Sequence, residues 1–375
     1  MADIKELLEG FTEVADHPKA ELDRHIAAGK KVIGVGPYYV LEELVYAAGA
    51  IPFGVWGRVG TASKAREYFP PFYCSICQMT LEMGLNHELD KLSGIMLTAL
   101  CDTLRGASQN FRVGVTQVPM IFVTQPQNRA TEAGRQYAID SYTELKTTVG
   151  EACDTIIDDD KLAEAIKLYN NWRAAMRTFL AEAAKHPALV SVAQRAAVVD
   201  AGYYMDKAEH LKKVEALNEL LAAQPASTDG FKKVVLSGVY YDIPALTQIL
   251  DENHFAVVAD DIAKESRALQ LQVSEEGDPT VALAEAFCKA GNDSILFDEN
   301  KGHVAHVADL YKESGADGVV LLLAKFCDPE EFDAPHVAKA CKDAGAPFVQ
   351  IEIDQSTESY EQARTQLETF ADIIG

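Results

Sequence analysis

Positive charge is what this chain lacks most. Its 375 residues hold 34 Lys and Arg against 57 Asp and Glu, a formal charge of −23. Nucleic acids and anionic membrane surfaces are bound by basic faces, so the balance argues against both as partners. Long hydrophobic runs are missing too. The longest apolar stretch, Gly318–Ala324, is far short of the roughly 20 residues that a membrane-spanning helix needs. The opening "MADIKELLEGFTEVADHPKA" has no basic segment followed by an apolar one, so no secretory signal is read there, and a cytoplasmic location is expected. Cysteine is sparse: seven scattered residues, an odd number, do not make a secreted disulfide framework. There is no P-loop and no H-E-x-x-H, and the nine histidines do not cluster.

What is present is a globular chain, 48% hydrophobic and long enough for two domains. One half repeats the other. "KKVIGVGPYY" (Lys30–Tyr39) returns as "KKVVLSGVYY" (Lys232–Tyr241), each a β-branched run ending in Gly and a Tyr pair. Helix-period stretches follow at Leu41–Ala48 and Ile243–Leu250, then the strand-like runs "IPFGVW" and "HFAVVAD". "LSGIMLTALCDT" and "GADGVVLLLAKFCDP" match next, then "VPMIFVTQPQ" and "APFVQIEIDQ". Strand and helix in alternation, with nearly continuous apolar strands, predict parallel sheets buried on both faces. The expected fold is α/β: two similar doubly wound parallel-sheet domains at 30–140 and 230–375. A helical N-terminal extension (1–29) and a helical segment with linker (141–229) complete it. "GVGPYY" lacks the G-x-G-x-x-G spacing of a dinucleotide loop.

Ligands of open parallel sheets sit beyond the carboxyl ends of the strands. Cys101 ("LCDTLRG") and Cys327 ("KFCDPEE") fall there, one per half, each followed by Asp. Cys74, in "PFYCSIC", also stands at a segment boundary, where prolines precede a helix start whose dipole favours thiolates. Three thiolates from three loops suit a soft metal centre with one open position. Cys77 completes a Cys-x-x-Cys pair one turn on from Cys74, but no second pair exists to make a zinc ribbon. Cys153, Cys288 and Cys341 read as core residues. "PQNR" (Pro126–Arg129) and "IDQ" (Ile353–Gln355) lie at matching ends of the halves and read as caps or turns.

"PYYVLEELVYAAGAIPFGVWG", "FYCSICQ", "LCDTLRGASQNF", "VTQPQNR", "ADDIAKESR" and "KFCDPEEF" occur in order. Together they resemble the smaller (β) subunit of the 2-hydroxyacyl-CoA dehydratases, from about residue 30 onward. The wording is most like the (R)-2-hydroxyglutaryl-CoA branch, and the lactoyl-, phenyllactyl- and 2-hydroxyisocaproyl-CoA enzymes share the frame. The resemblance implies a hydro-lyase subunit working anaerobically in amino-acid fermentation. It implies an αβ heterodimer with the larger α subunit, an ATP-dependent iron–sulfur activator, and one [4Fe-4S] cluster in each subunit held by three cysteines. The matching positions are Cys74, Cys101 and Cys327. Cys77 departs from the family pattern, as a spare thiol or an alternative ligand. Whether a flavin accompanies the cluster is left open.

The implied reaction removes water from an acyl-CoA thioester whose β-hydrogen the carbonyl does not acidify. One electron, added to make a ketyl radical, expels the hydroxyl and acidifies that hydrogen, and the electron is then recovered. The resemblance places most substrate contacts on the α subunit, so this chain is expected to relay or store the electron and to hold no complete catalytic site. Three other readings stand beside it: a homodimeric reductase with a double-cubane cluster, a benzoyl-CoA reductase-like subunit, and a two-domain ligand-binding module without a cluster.

Overall fold

A computed structural model describes residues 3–375. The first part of the chain forms α1 (Ile4–Asp16), α2 (Pro18–Ala27), β1 (Val32–Gly36), α3 (Glu42–Ala47), β2 (Ile51–Gly54), α4 (Ser75–Leu85), β3 (Gly94–Thr98), α5 (Asp102–Gly114) and β4 (Met120–Val123). A helical stretch follows: α6 (Glu132–Ala152), α7 (Asp159–Lys185), α8 (Val192–Tyr204) and α9 (Lys207–Ala222). The last part forms β5 (Lys232–Gly238), α10 (Pro244–Glu252), β6 (Phe255–Ile262), α11 (Pro279–Lys289), α12 (Gly302–Ser314), β7 (Gly318–Ala324), α13 (Asp328–Asp343), β8 (Phe348–Ile353) and α14 (Glu361–Ile374). Among the described residues no helix is long and apolar enough to cross a membrane.

The strands make two four-stranded sheets, β2-β1-β3-β4 and β6-β5-β7-β8, with every pair parallel. The same order recurs in both halves, so the two-sheet α/β fold expected from the repeat is borne out. β1, β3 and β7 are buried along their whole length, as strands covered by helices on both faces must be.

The repeated glycine before each Tyr pair has a packing cause. A Cβ on Gly36 would lie 2.3 Å from the Val55 carbonyl oxygen, and one on Gly238 would lie 2.3 Å from that of Leu322. Neighbouring strands approach there too closely for any side chain. The Tyr pairs then turn inward and lock the halves together. Tyr38 and Tyr39 both donate to Asp293, and Tyr240 pairs with Ser75 at 3.1 Å.

The helical stretch is capped as its sequence dictates. Thr131, Asp158 and Asp206 accept N–H bonds at the starts of α6, α7 and α9, and Ser191 with Gln194 forms a capping box on α8. Helix α6 begins at Glu132 because Thr131 supplies that cap. The N-terminal α1 buries Leu8 and Phe11 against α8 and α9. Buried ion pairs stitch this layer to the sheets: Arg195 with Asp260 and Glu265, and Arg173 with Glu43. Such pairs hold position more than they add stability, since burial of both charges offsets most of their attraction.

Candidate functional site

The three boundary cysteines occupy equivalent places: each is the N-cap of a helix. Cys74 caps α4, Cys101 caps α5 and Cys327 caps α13. Cys101 follows β3 and Cys327 follows β7, the corresponding strands of the two sheets. An N-cap side chain accepts from the free amides of the first turn, and here the acceptor is sulfur. Leu104 N donates to Cys101 Sγ at 3.4 Å. Cys74 and Cys327 hold the same N-cap position without such a bond. Three helix dipoles thus present their positive ends to three sulfurs.

The approach to Cys327 is shaped by Phe326, which adopts a left-handed φ of 62° and donates its amide to Glu331. The loop ahead of Cys74 is tied back by Gln78, whose side chain donates to the Tyr73 carbonyl at 2.5 Å. Arg105 reaches back to the Ala99 carbonyl and steadies the turn that carries Cys101.

The thiols sense one another. The Cys77 thiol donates to Cys74, which lowers the pKa of Cys74 against the cost of burial. That same bond, then burial, then the charges of Cys74, Cys101 and Cys327 push Cys77 well up. Cys101 is raised to about 12 by burial and by Cys74. Cys327 is raised by burial, by Glu330, and by Cys74 and Cys101. The raised thiols of Cys101 and Cys327 would be poor nucleophiles, and a bound metal centre would draw off their protons.

Does this donor set fit an iron–sulfur cluster? Three soft sulfurs at helix N-termini, with a backbone N–H already on Cys101, are the surroundings that stabilise cluster thiolates. Among the described residues no group of three or more His, Cys, Asp or Glu could hold a single metal ion. The fit to a cluster rests on the donor chemistry of the three cysteines.

The remaining cysteines divide as expected, with one difference. Cys153 and Cys341 are buried, whereas Cys288 is half-buried on α11. Cys77 is also buried, and it lines a small apolar void with Gly36, Pro37 and Leu104. The two polar segments read as caps do more than cap. Arg129 donates to the carbonyls of Ala290 and Phe297, and so binds the halves. Gln355 donates its side chain to the Trp56 carbonyl and its amide to Ser75, beside Cys74. No sequence pattern names those partners, because each lies in the other half of the chain.

A cavity of about 1050 Å³ opens between the α1–α2 corner, α8 and α10. Trp56, Tyr204 and Tyr240 line it, with Lys264 bonded to Asp200 and Asp242 at 2.6 Å each. Burial and the neighbouring Asp242 push Asp200 up to about 8. The "GVGPYY" turn, by contrast, buries both tyrosines against Asp293 and offers no phosphate cradle.

Fold and site together define a duplicated two-sheet α/β protein that gathers cysteine-capped helices from both halves. The chain belongs to the family described as "2-hydroxyglutaryl-CoA dehydratase, D-component", whose profile matches residues 37–374. It is 44% identical to the (R)-2-hydroxyglutaryl-CoA dehydratase subunit beta of Acidaminococcus fermentans, over 99% of this chain and 100% of that one. It is 40% identical to the (R)-phenyllactyl-CoA dehydratase beta subunit of Clostridium sporogenes, over the whole of both chains. A benzoyl-CoA reductase subunit of Thauera aromatica is more distant, at 25% over 100% of this chain and 98% of its own. The resemblance read from the motifs is borne out.

Proposed function

We propose that this chain is the β subunit of a 2-hydroxyacyl-CoA dehydratase, acting on (R)-2-hydroxyglutaryl-CoA to give glutaconyl-CoA. In this reading Cys74, Cys101 and Cys327 hold a [4Fe-4S] cluster, and a larger α subunit carries most of the substrate contacts. The observation that carries the reading is the placement of these three cysteines, from both halves, as the N-caps of α4, α5 and α13. The identities favour a dehydratase over a reductase, 44% and 40% against 25%.

When bound, the cluster would supply a strongly reducing electron for one-electron (ketyl radical) chemistry at the thioester. The chain's own residues then have three tasks. The N-termini of the three helices, with the Leu104 amide on Cys101, would lend positive potential to an anionic centre held there. Leu104, Ile76 and Phe111, buried around Cys77, would help keep water from a cluster held there. The exposed aromatics near the three cysteines would face a partner. Phe72 (62% exposed) stands two residues before Cys74, Phe332 (75%) follows Cys327 on α13, and Phe297 (48%) shares a lining with Leu100 beside Cys101. Exposed aromatics around a redox centre fit a subunit contact that shields electron transfer from solvent.

The test is reconstitution. The chain, its α subunit and an ATP-dependent iron–sulfur activator, mixed anaerobically with (R)-2-hydroxyglutaryl-CoA, should form glutaconyl-CoA. The Cys327→Ala variant should not. Full turnover by that variant would overturn the assignment, and turnover of (R)-lactoyl-CoA in preference would move the chain to another branch.

A further inference from the structure

Glu330 sits in the first turn of α13, three residues after Cys327, and is only 2% exposed. Burial and then the charge of Glu330 raise the Cys327 thiol. The Glu330 side chain is clamped on one oxygen: Oε1 accepts from Arg267 at 2.8 Å and from Ser294 at 2.6 Å, while Oε2 is buried with no hydrogen-bond partner within the chain. Arg267 is itself 2% exposed, and it donates from Nε and Nη2 to Asp261 and from Nη1 to Ser294, each at 2.9 Å. Asp261 is held in turn by Ser237 and His303. A chain of buried charge therefore runs from β6 to the first turn of α13, which Cys327 caps.

The charge count around this point is uneven. Asp261, Asp293, Glu330 and Asp333 face Arg267, His303 and Lys301, and Lys301 reaches in from the surface. A carboxylate next to an anionic centre is costly to bury and needs a reason. Fixed negative charge close to an iron–sulfur cluster disfavours adding an electron, because charge and burial are among the levers that set its potential.

On the cluster reading above, we propose that Glu330, clamped by Arg267, is a positioning residue. Its buried charge, held in the first turn of α13 that Cys327 caps, keeps this chain's cluster at a low reduction potential. The loop before Cys327 is secured separately, by the Cys327 amide on Ala324 and the Phe326 amide on Glu331, so the fold does not hang on Glu330 alone.

The test is an anaerobic redox titration, followed by electron paramagnetic resonance, of the enzyme assembled with a wild-type partner subunit. Glu330→Gln keeps an oxygen for Arg267 and removes the charge. It should retain the wild-type iron content and shift this chain's cluster to a more positive potential. Glu330→Asp keeps the charge and should titrate close to wild type. An unchanged potential in Glu330→Gln with full iron overturns the proposal, as does an equal shift in both variants. If Glu330→Gln does not fold, Ser294→Ala tests the same carboxylate. Removing its hydroxyl leaves more charge on Oε1 and should move the potential the other way, and no movement there overturns the proposal too. Wild-type enzyme with no iron in this chain would instead remove the cluster reading itself.

Discussion

His303 should make the stability of this protein fall as pH rises from neutral to about 10. The side chain is 3% exposed, and burial alone would lower its pKa. The charge of Asp261 and a 2.8 Å hydrogen bond to it outweigh burial and raise the imidazole to about 9. Its other nitrogen, Nδ1, lies 3.7 Å from Asp333, too far for a hydrogen bond. A folded value of about 9 against an unfolded value near 6.5 corresponds to roughly 3 kcal/mol. The pKa is raised on folding, so this contribution is present in full below about pH 6.5 and is lost as pH climbs through about 9. His303→Gln can still donate to Asp261 but cannot titrate. Urea unfolding of both proteins between about pH 6 and pH 10 isolates the effect, because other titrating groups cancel in the difference. The wild-type advantage should shrink by roughly 3 kcal/mol across that range. A difference that stays flat, or grows with pH, would show that folding does not raise the His303 pKa.

Gly36→Ala and Gly238→Ala each force a Cβ to 2.3 Å from a carbonyl oxygen of the neighbouring strand. Each should cost at least the 1–3 kcal/mol typical of overpacking, more at Gly238, whose φ of 147° strains any side chain, seen as a lower melting temperature. Arg129→Ala strips the donors from two carbonyls that join the halves and should cost about 2–3 kcal/mol. Limited proteolysis should then cut faster near Phe297. Cys77→Ser should keep its iron, since Cys77 caps no helix and faces an apolar void; iron loss equal to that of Cys74→Ser would make it a ligand.

Much of the fold was open to reading because the repeat is written locally. The β-branched runs, the glycine before each Tyr pair and the cysteine after β3 and β7 recur in order, and each answers to a short-range constraint: pleat, close approach or helix cap. Cys74, Cys101 and Cys327 could be singled out for the same reason, since a helix boundary shows in a few neighbouring residues. What lay beyond reach are pairings across the chain. Arg129 looks like a turn residue until the carbonyls of Ala290 and Phe297 are placed beside it, and Gln355 looks like one until Trp56 is. Arg267 and Glu330 are ordinary surface residue types in sequence, and only the return of β6 beside the start of α13 buries them together. The cavity between α8 and α10 is formed by packing, which periodicity does not encode.

Everything proposed for this chain rests on three helix-capping cysteines, drawn from both halves, holding one cluster. Iron and acid-labile sulfide, measured on anaerobically assembled wild type and on Cys74→Ala, Cys101→Ala and Cys327→Ala, decide the matter. About four irons are expected on this chain, as one [4Fe-4S] cluster holds, with loss of that complement in each of the three variants. A wild-type chain without iron, or any one of these variants with its iron intact, would overturn the assignment.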